Sequence, residues 1–261
     1  MSRARFGQHF LVDGEIIQTI IESAEIGADD IVVEIGPGKG ALTSHLAGCS
    51  GNLTLLEPDR RLADELRRAH KNARVLVQRG EAINFAGFPA HVVVVSNLPY
   101  YASVQIFKHL SENKGAISRM VLMFQKEVAQ RISAGPGGRH YGSLSVWSSY
   151  NWEMEQVVTV PAKAFAPPPK VESAALRFRP RLKPPVDGDE QELFKLVRSS
   201  FVLKRRTLVN NLKNIYPADA LNAAMESADL GPKARAEEVS LEQFAKLSQL
   251  LGSPPLERKI L

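Results

Sequence analysis

The segment Glu34-Ile35-Gly36-Pro37-Gly38-Lys39-Gly40, arriving directly behind the apolar run Ile31 to Val33, restricts the fold more than any other feature of the chain. Apolar β-branched residues favour a buried strand, expected at about Ile31 to Ile35. The alternating glycines then supply backbone freedom that other residues lack. Such a turn between a strand and a helix lets the backbone approach a ligand closely, with helix N–H groups aimed at it. A helix is expected to open at Ala41 to Ala47.

The same alternation continues. Strands are expected at Leu53 to Leu56, Arg74 to Gln78, Val92 to Ser96 and Met120 to Phe124, and two more at Glu155 to Val160 and Ser173 to Phe178. Helical patterns separate them at Arg60 to Lys71, Val104 to Leu110 and Gln125 to Ala134, and another, Glu15 to Ala24, precedes the first. Short connections in a β-α alternation imply an α/β fold with a Rossmann-like, doubly wound sheet. The glycine-rich stretch Gly135 to Arg139 reads as a mobile loop. Pro180, Pro184, Pro185, Asp187, Gly188 and Asp189 mark a boundary. Beyond it only helices are expected: Gln191 to Val202, Arg206 to Lys213, Ala218 to Ala228 and Leu241 to Leu251. Ser240 with Gln243 reads as a capping box for the last. The expected organisation is a catalytic domain over 1–183 and a smaller all-helical C-terminal domain over 189–261.

Composition narrows the function classes. No apolar run approaches the ~20 residues of a membrane span. The start, with Arg3 and Arg5, lacks a signal-peptide core, so a cytoplasmic protein without membrane association is expected. Cys49 is the single cysteine, which rules out an internal disulfide. The six histidines show no metal-ligand spacing, so no metal is expected. Nothing demands more than a monomer. The net charge is +5, and its distribution matters more: Lys195, Arg198, Lys204, Arg205, Arg206 and Lys213 occur between Leu193 and Lys213 without one acidic residue. A solvated helix face normally mixes signs, so this stretch reads as a phosphate-backbone surface.

The loop spacing Gly36, Gly38, Gly40 is G-x-G-x-G. It differs from the dinucleotide fingerprint G-x-G-x-x-G and suits S-adenosyl-L-methionine better than NAD. Glu57, at the end of the second strand, is placed to take both hydroxyls of a ribose. Glu81, just after the third, is placed to accept from an adenine amino group.

Asn97-Leu98-Pro99-Tyr100 ends the fourth strand of the sheet. The amino nitrogen of adenine is a poor nucleophile because its lone pair is delocalised into the ring. Acceptors out of the ring plane, the Asn97 side-chain oxygen and a carbonyl at Leu98 or Pro99, favour a tetrahedral nitrogen with an available lone pair. Pro99 stiffens the turn and removes a competing donor, and Tyr100 would stack on the base. The reading is methyl transfer to the amino group of a base, with positioning as the main contribution. Phe165, at the head of the stiff segment Phe165 to Val171, is expected as the opposite stacking face for a flipped base. Lys170 would suit a phosphate.

These residues resemble the rRNA adenine N6-dimethyltransferase family through both expected domains. The resemblance is carried by Gln8-His9-Phe10-Leu11, Glu34 to Gly40, Asn97 to Tyr100, Gln125-Lys126-Glu127-Val128 and Phe165 to Val171. In the helical part it is carried by Lys204-Arg205-Arg206-Thr207-Leu208, Asn210-Asn211-Leu212 and Arg235-Ala236-Glu237-Glu238. It implies a bacterial enzyme that dimethylates two adjacent adenines near the 3′ end of 16S rRNA, in the small (30S) subunit or its precursor. It further implies that His9 and Leu11 line the methionine side of the cofactor, with Gly36 at its carboxylate-bearing end. Glu57 would lie on the ribose, Glu81 by the adenine, and Asn97 against both cofactor and target. Glu81 stands where Asp is more usual, His9 where Asn is also frequent, and Ser143 where Arg is frequent.

Three other readings stay open on the sequence. One is the antibiotic-resistance type of 23S rRNA adenine methylase. Another is a nicotinamide-dependent dehydrogenase, disfavoured by the Gly40 spacing and by the lack of an evident acid. The third is a non-enzymatic RNA-binding assembly factor on the same scaffold.

Overall fold

The computed structural model describes residues 9–89, 91–203 and 205–253. Arg3, Arg5, Gln8 and Lys204, named above, lie outside them. The chain forms two compact units. One runs through Ala129 and resumes over Trp152–Leu182; the other joins Gln130–Asn151 to the chain from Lys183 onward.

In the first unit, β1 (Phe10–Leu11) leads to α1 (Gly14–Ser23), whose first turn is capped by the Asp13 carboxylate accepting from the Glu15 and Ile16 N–H groups. There follow β2 (Ile31–Ile35), α2 (Thr43–Cys49), β3 (Asn52–Leu56), α3 (Arg60–Ala69) and β4 (Arg74–Leu76). Next come β5 (Val92–Asn97), α4 (Ser103–Glu112) and β6 (Ile117–Gln125), and then α5 (Lys126–Ser133), which ends beyond this unit. Strands β7 (Trp152–Val160), β8 (Phe165–Ala166) and β9 (Ser173–Pro180) complete the unit.

Seven strands make one sheet in the order β4-β3-β2-β5-β6-β9-β7. The first five named are parallel, and β9 runs antiparallel to both β6 and β7. From β2 the chain builds outward through β3 and β4, then returns to place β5 on the other side of β2. The order therefore reverses between β2 and β5, and the crevice outside their carboxyl ends is where ligands bind in such sheets. Three sequence features sit on three adjacent strand ends: Glu57 after β3, the glycine loop after β2, and Asn97 at the end of β5.

Strands covered on both faces read as unbroken apolar runs, and Val92 to Val95 are all fully buried. One face packs Val32, Leu53, Leu55, Val93 and Val95 with Ile17, Ile20 and Ile21 of α1. On the other, Phe107 meets Phe124 edge-on at 5.9 Å and Phe178 at 5.0 Å. Trp152 packs edge-on to Phe178, and its indole N–H donates to Ser111 Oγ at 2.8 Å, which satisfies the polar end of a fully buried ring.

The second unit is helical. It contains α6 (Ser143–Asn151), α7 (Glu190–Ser200), α8 (Leu208–Leu212), α9 (Ala218–Ser227) and α10 (Leu241–Leu251). Its core includes Val146, Tyr150, Val197, Leu208, Leu212 and Phe244. The capping box expected at α10 is present: Ser240 Oγ accepts from Gln243 N at 3.2 Å, and Gln243 Oε1 accepts from Ser240 N at 3.0 Å. Two expectations change here. Segment 130–151, assigned from the sequence to the first domain, groups with the helices because Val146 and Tyr150 supply part of their core. The glycine-rich loop is tied down at one point, with Gly137 N–H donating to the Glu237 carbonyl at 2.7 Å. Among the described residues no helix is long and apolar enough to cross a membrane.

Candidate active site

All three glycines of the loop have positive φ: +67° at Gly36, +57° at Gly38 and +83° at Gly40. Each is a conformation that side chains disfavour. A Cβ at Gly38 would also sit 3.0 Å from the Phe10 ring. Phe10 lies against the loop, and the Lys39 ammonium stands 4.7 Å above its ring centroid. The loop takes more chain than expected, so α2 begins at Thr43 and not at Ala41.

Glu57 is nearly fully buried. Its carboxylate accepts the Gly38 N–H at 3.1 Å and the Asp59 N–H at 3.0 Å. Burial raises its pKa, an effect opposed by these two donors and reinforced by the charge of Asp59. One strand inward, Glu34 is also buried. Desolvation pushes it up to about 8, against the Thr43 hydroxyl donating to it at 2.6 Å and with the help of Glu57. Near neutral pH Glu34 is therefore mostly protonated.

A cavity of about 680 Å³ opens over these strand ends, well within the range of small-molecule sites. Its lining brings together His9, Leu11, Gly36, Gly38, Glu57 and Asn97, with Leu98, Pro99 and Tyr100 beside them. The tetrapeptide is held firmly. Leu98 is buried and donates its N–H to the Met123 carbonyl at 3.3 Å. The Pro99 carbonyl accepts from Ala102 N at 3.0 Å. The Tyr100 hydroxyl shares a 2.6 Å hydrogen bond with Ser173 Oγ, and burial raises its pKa. The His9 ring lies 28° from parallel with that of Tyr100 at 6.2 Å, and its Nδ1–H donates to the Pro167 carbonyl at 2.7 Å.

Two expected site residues do not reach this wall. Phe165 is 3% exposed. It pairs with Leu11 in the β1–β8 ribbon and packs in the core with Leu11, Ile17 and Ala164. The period of two along β8 turns its ring inward, so it is not a lining face of the cavity. Glu81 lies in a 3₁₀ turn, Gly80–Ala82, with its carboxylate 3.8 Å from the Arg79 guanidinium. Arg79, and not Glu81, lines the cavity.

The sequence reading also passed over Glu34, Arg79 and Tyr101, which line the same space. Glu34 left a signal, a carboxylate inside an otherwise apolar strand; Arg79 and Tyr101 left none that separates them from ordinary surface residues. Of the residues expected to meet RNA, Lys170, Arg205 and Arg206 are exposed. Arg205 has φ +65°, unusual for a non-glycine residue.

A glycine cradle, a buried carboxylate and an Asn-Leu-Pro-Tyr turn on adjacent ends of this sheet define a Rossmann-like α/β protein of the methyltransferase type. Comparison with known proteins narrows the class. Residues 1–252 match the family of the ribosomal RNA adenine dimethylases. The ribosomal RNA small subunit methyltransferase A of Latilactobacillus sakei is 39% identical, covering 97% of this chain and 91% of its own. That of Streptococcus sanguinis is 41% identical, covering 96% and 92%. Among solved structures, the 23S rRNA methyltransferase ErmE aligns with a TM-score of 0.76 and 30% identity over 93% of this chain and 99% of its own. A dimethyladenosine transferase from Plasmodium falciparum aligns with a TM-score of 0.75 and 26% identity over 92% and 96%. The chain belongs to the ribosomal RNA adenine dimethylase family.

Proposed function

We propose that this protein uses S-adenosyl-L-methionine to dimethylate the N6 amino groups of two adjacent adenines near the 3′ end of 16S rRNA, on the small ribosomal subunit or its precursor in the cytoplasm, acting as a monomer. One observation carries the reading: Asn97 to Tyr100 lines the same cavity as Gly36, Gly38 and Glu57. Base-activating acceptors and a nucleoside cradle thus face one space.

The residues present fit the cofactor. Glu57 is a buried carboxylate on the cavity wall, suited to ribose hydroxyls, and Gly36 and Gly38 line the same cavity with backbone alone. Gly36, Gly38, Glu57, His9 and Leu11 would hold it. When bound, S-adenosyl-L-methionine supplies an electrophilic methyl group on a sulfonium.

The chain's own contribution is to position and to accept hydrogen bonds. The Asn97 amide oxygen takes one N–H of the target amine. The Pro99 carbonyl is already engaged by Ala102 N, which favours the Leu98 carbonyl as the second acceptor. Tyr100, anchored through Ser173, presents a ring face that fixes the plane of the base. No general base is needed beforehand, because a neutral amine gains the methyl group first and sheds its proton afterwards. Lys170, Lys204, Arg205 and Arg206 are assigned to rRNA phosphates. The small subunit methyltransferases that match nearly the whole chain at 39% and 41% identity support the small subunit as substrate.

The test is transfer of label from S-adenosylmethionine to undermethylated small subunits. The native chain is expected to yield N6,N6-dimethyladenosine, and Asn97→Ala to lose transfer while cofactor binding largely survives. Undiminished dimethylation by Asn97→Ala would overturn the assignment of Asn97.

A further inference from the structure

The lining of the cavity changes character from one end to the other. Its aromatic rings, those of His9, Phe10, Tyr100 and Tyr101, all belong to the segment at β1 or to the turn after β5. The opposite end, beyond β3, is lined by Pro58, Asp59, Arg60 and Arg79. No aromatic side chain stands there to hold a flat ligand, and the planar groups on offer are guanidiniums. Arg79 follows the last residue of β4 by three positions. Its backbone is fixed from below, because Gly80 is buried and packed so closely on Ile35 and Ile106 that a Cβ has no room. The Arg79 side chain itself is 72% exposed, and its ion pair with Glu81 spans 3.8 Å, past hydrogen-bond reach.

We infer that Arg79 recognises the cofactor by laying its guanidinium plane against the face of the adenine ring, which makes it a specificity-determining residue for the nucleoside. The inference rests on the S-adenosyl-L-methionine reading above. Across the sheet the strand ends run β5, β2, β3, β4. With the target base at Asn97, the glycine loop after β2 and the ribose at Glu57, the purine falls one glycosidic bond further along, toward the end of β4. Arg79 lines the cavity there, whereas Glu81, the residue expected to read the amino group, does not. A guanidinium is flat, delocalised and weakly hydrated, so it stacks on aromatic planes, nucleobases among them. Glu81 supports this arrangement from outside the cavity. Its carboxylate offsets the charge of Arg79, which limits repulsion between that cation and the cofactor's sulfonium. A contact with the ring face is indifferent to the groups on the ring edge, and this separates it from recognition by a carboxylate.

The full-length protein is titrated by calorimetry, without RNA, with S-adenosylmethionine, S-adenosylhomocysteine and S-inosylhomocysteine. The last carries oxygen in place of the adenine amino group and keeps the flat ring. Arg79→Ala is expected to weaken all three by the same factor, roughly 2- to 30-fold. Arg79→Lys keeps the charge and loses the plane, so it is expected to resemble Arg79→Ala. Arg79 is exposed, and neither change threatens the fold. A bare charge at this position gives the opposite sign: its removal would tighten the sulfonium ligand and leave S-adenosylhomocysteine unmoved, a result that overturns stacking. A loss confined to the two adenosyl ligands marks an edge contact and overturns it as well. So does native affinity in either variant. Failure of the native chain to bind any of the three overturns the cofactor reading, and the role of Arg79 with it.

Discussion

The Glu57 carboxylate accepts the Gly38 N–H at 3.1 Å, a bond between residues 19 apart in sequence that ties the end of β3 to the loop after β2. Its second oxygen takes the Asp59 N–H at 3.0 Å. Both partners are donors, so a carboxylate satisfies both and an amide cannot. Glu57→Gln must turn its NH₂ toward one of these N–H groups. Hydrogen bonds to a charged group contribute ~1.5–3 kcal/mol, so calorimetry is expected to show cofactor affinity reduced roughly tenfold or more. An unaltered Kd would remove Glu57 from the binding site.

Glu34 predicts a pH dependence of stability. Its carboxyl is raised from 4.5 to about 8 by burial, with Thr43 opposing and Glu57 assisting. Between those two values the folded chain holds a proton that the unfolded chain has released, so this group makes stability fall as pH rises. Above about pH 8 the folded state carries a buried charge and the full cost remains. Melting curves from pH 5 to 9 should show Glu34→Gln losing less stability than the native chain across that window. Parallel curves would show that Glu34 does not titrate there.

Much of this arrangement was legible because it depends on local pattern. Val92 to Val95 can be little other than a buried strand, and Gly36, Gly38 and Gly40 form the turn that their spacing suggested, each with positive φ. Ser240 and Gln243 cap α10 as two residues three apart should. What escaped depends on long-range packing or on weak propensity. Ser143 to Asn151 is rich in serine and aromatic residues, poor helix formers, and becomes helical because Val146 and Tyr150 find a core. Phe165 looked free to stack on a base because nothing nearby in sequence shows Leu11 pairing with it. Glu81 satisfied its expected position after the strand, but a 3₁₀ turn directs it to Arg79.

Gly80 tests how closely the sheet and the following turn are fitted. A Cβ there would lie 2.4 Å from Ile35 Cγ2 and 3.2 Å from Ile106 Cδ1. Ile35 and Ile106 are both fully buried, and the Ile35 methyl lies on a β-branched, stiff side chain. Gly80→Ala is expected to cost ~1–3 kcal/mol through overpacking, seen as a lower denaturation midpoint with an unchanged m-value. Gly87→Ala, with open space around its Cβ, is the control and should leave the midpoint nearly unmoved.

Charge and shape can be separated in the loop before α8. Asn211 Oδ1 accepts the Leu203 N–H at 3.0 Å, and its Nδ2 donates to the Leu203 carbonyl at 3.3 Å, so one side chain holds the backbone just ahead of Arg205 and Arg206. Replacing both arginines with Ala removes two cations. If both meet phosphates, RNA binding should weaken and the slope of log K against log salt should become shallower by about 1–2. Asn211→Ala removes no charge and only releases the loop. It should weaken binding with almost the same salt slope, because the number of neutralised phosphates stays constant. Filter binding across a salt series distinguishes the two. A double-arginine variant that keeps the native slope would place the phosphate-binding surface elsewhere on the molecule.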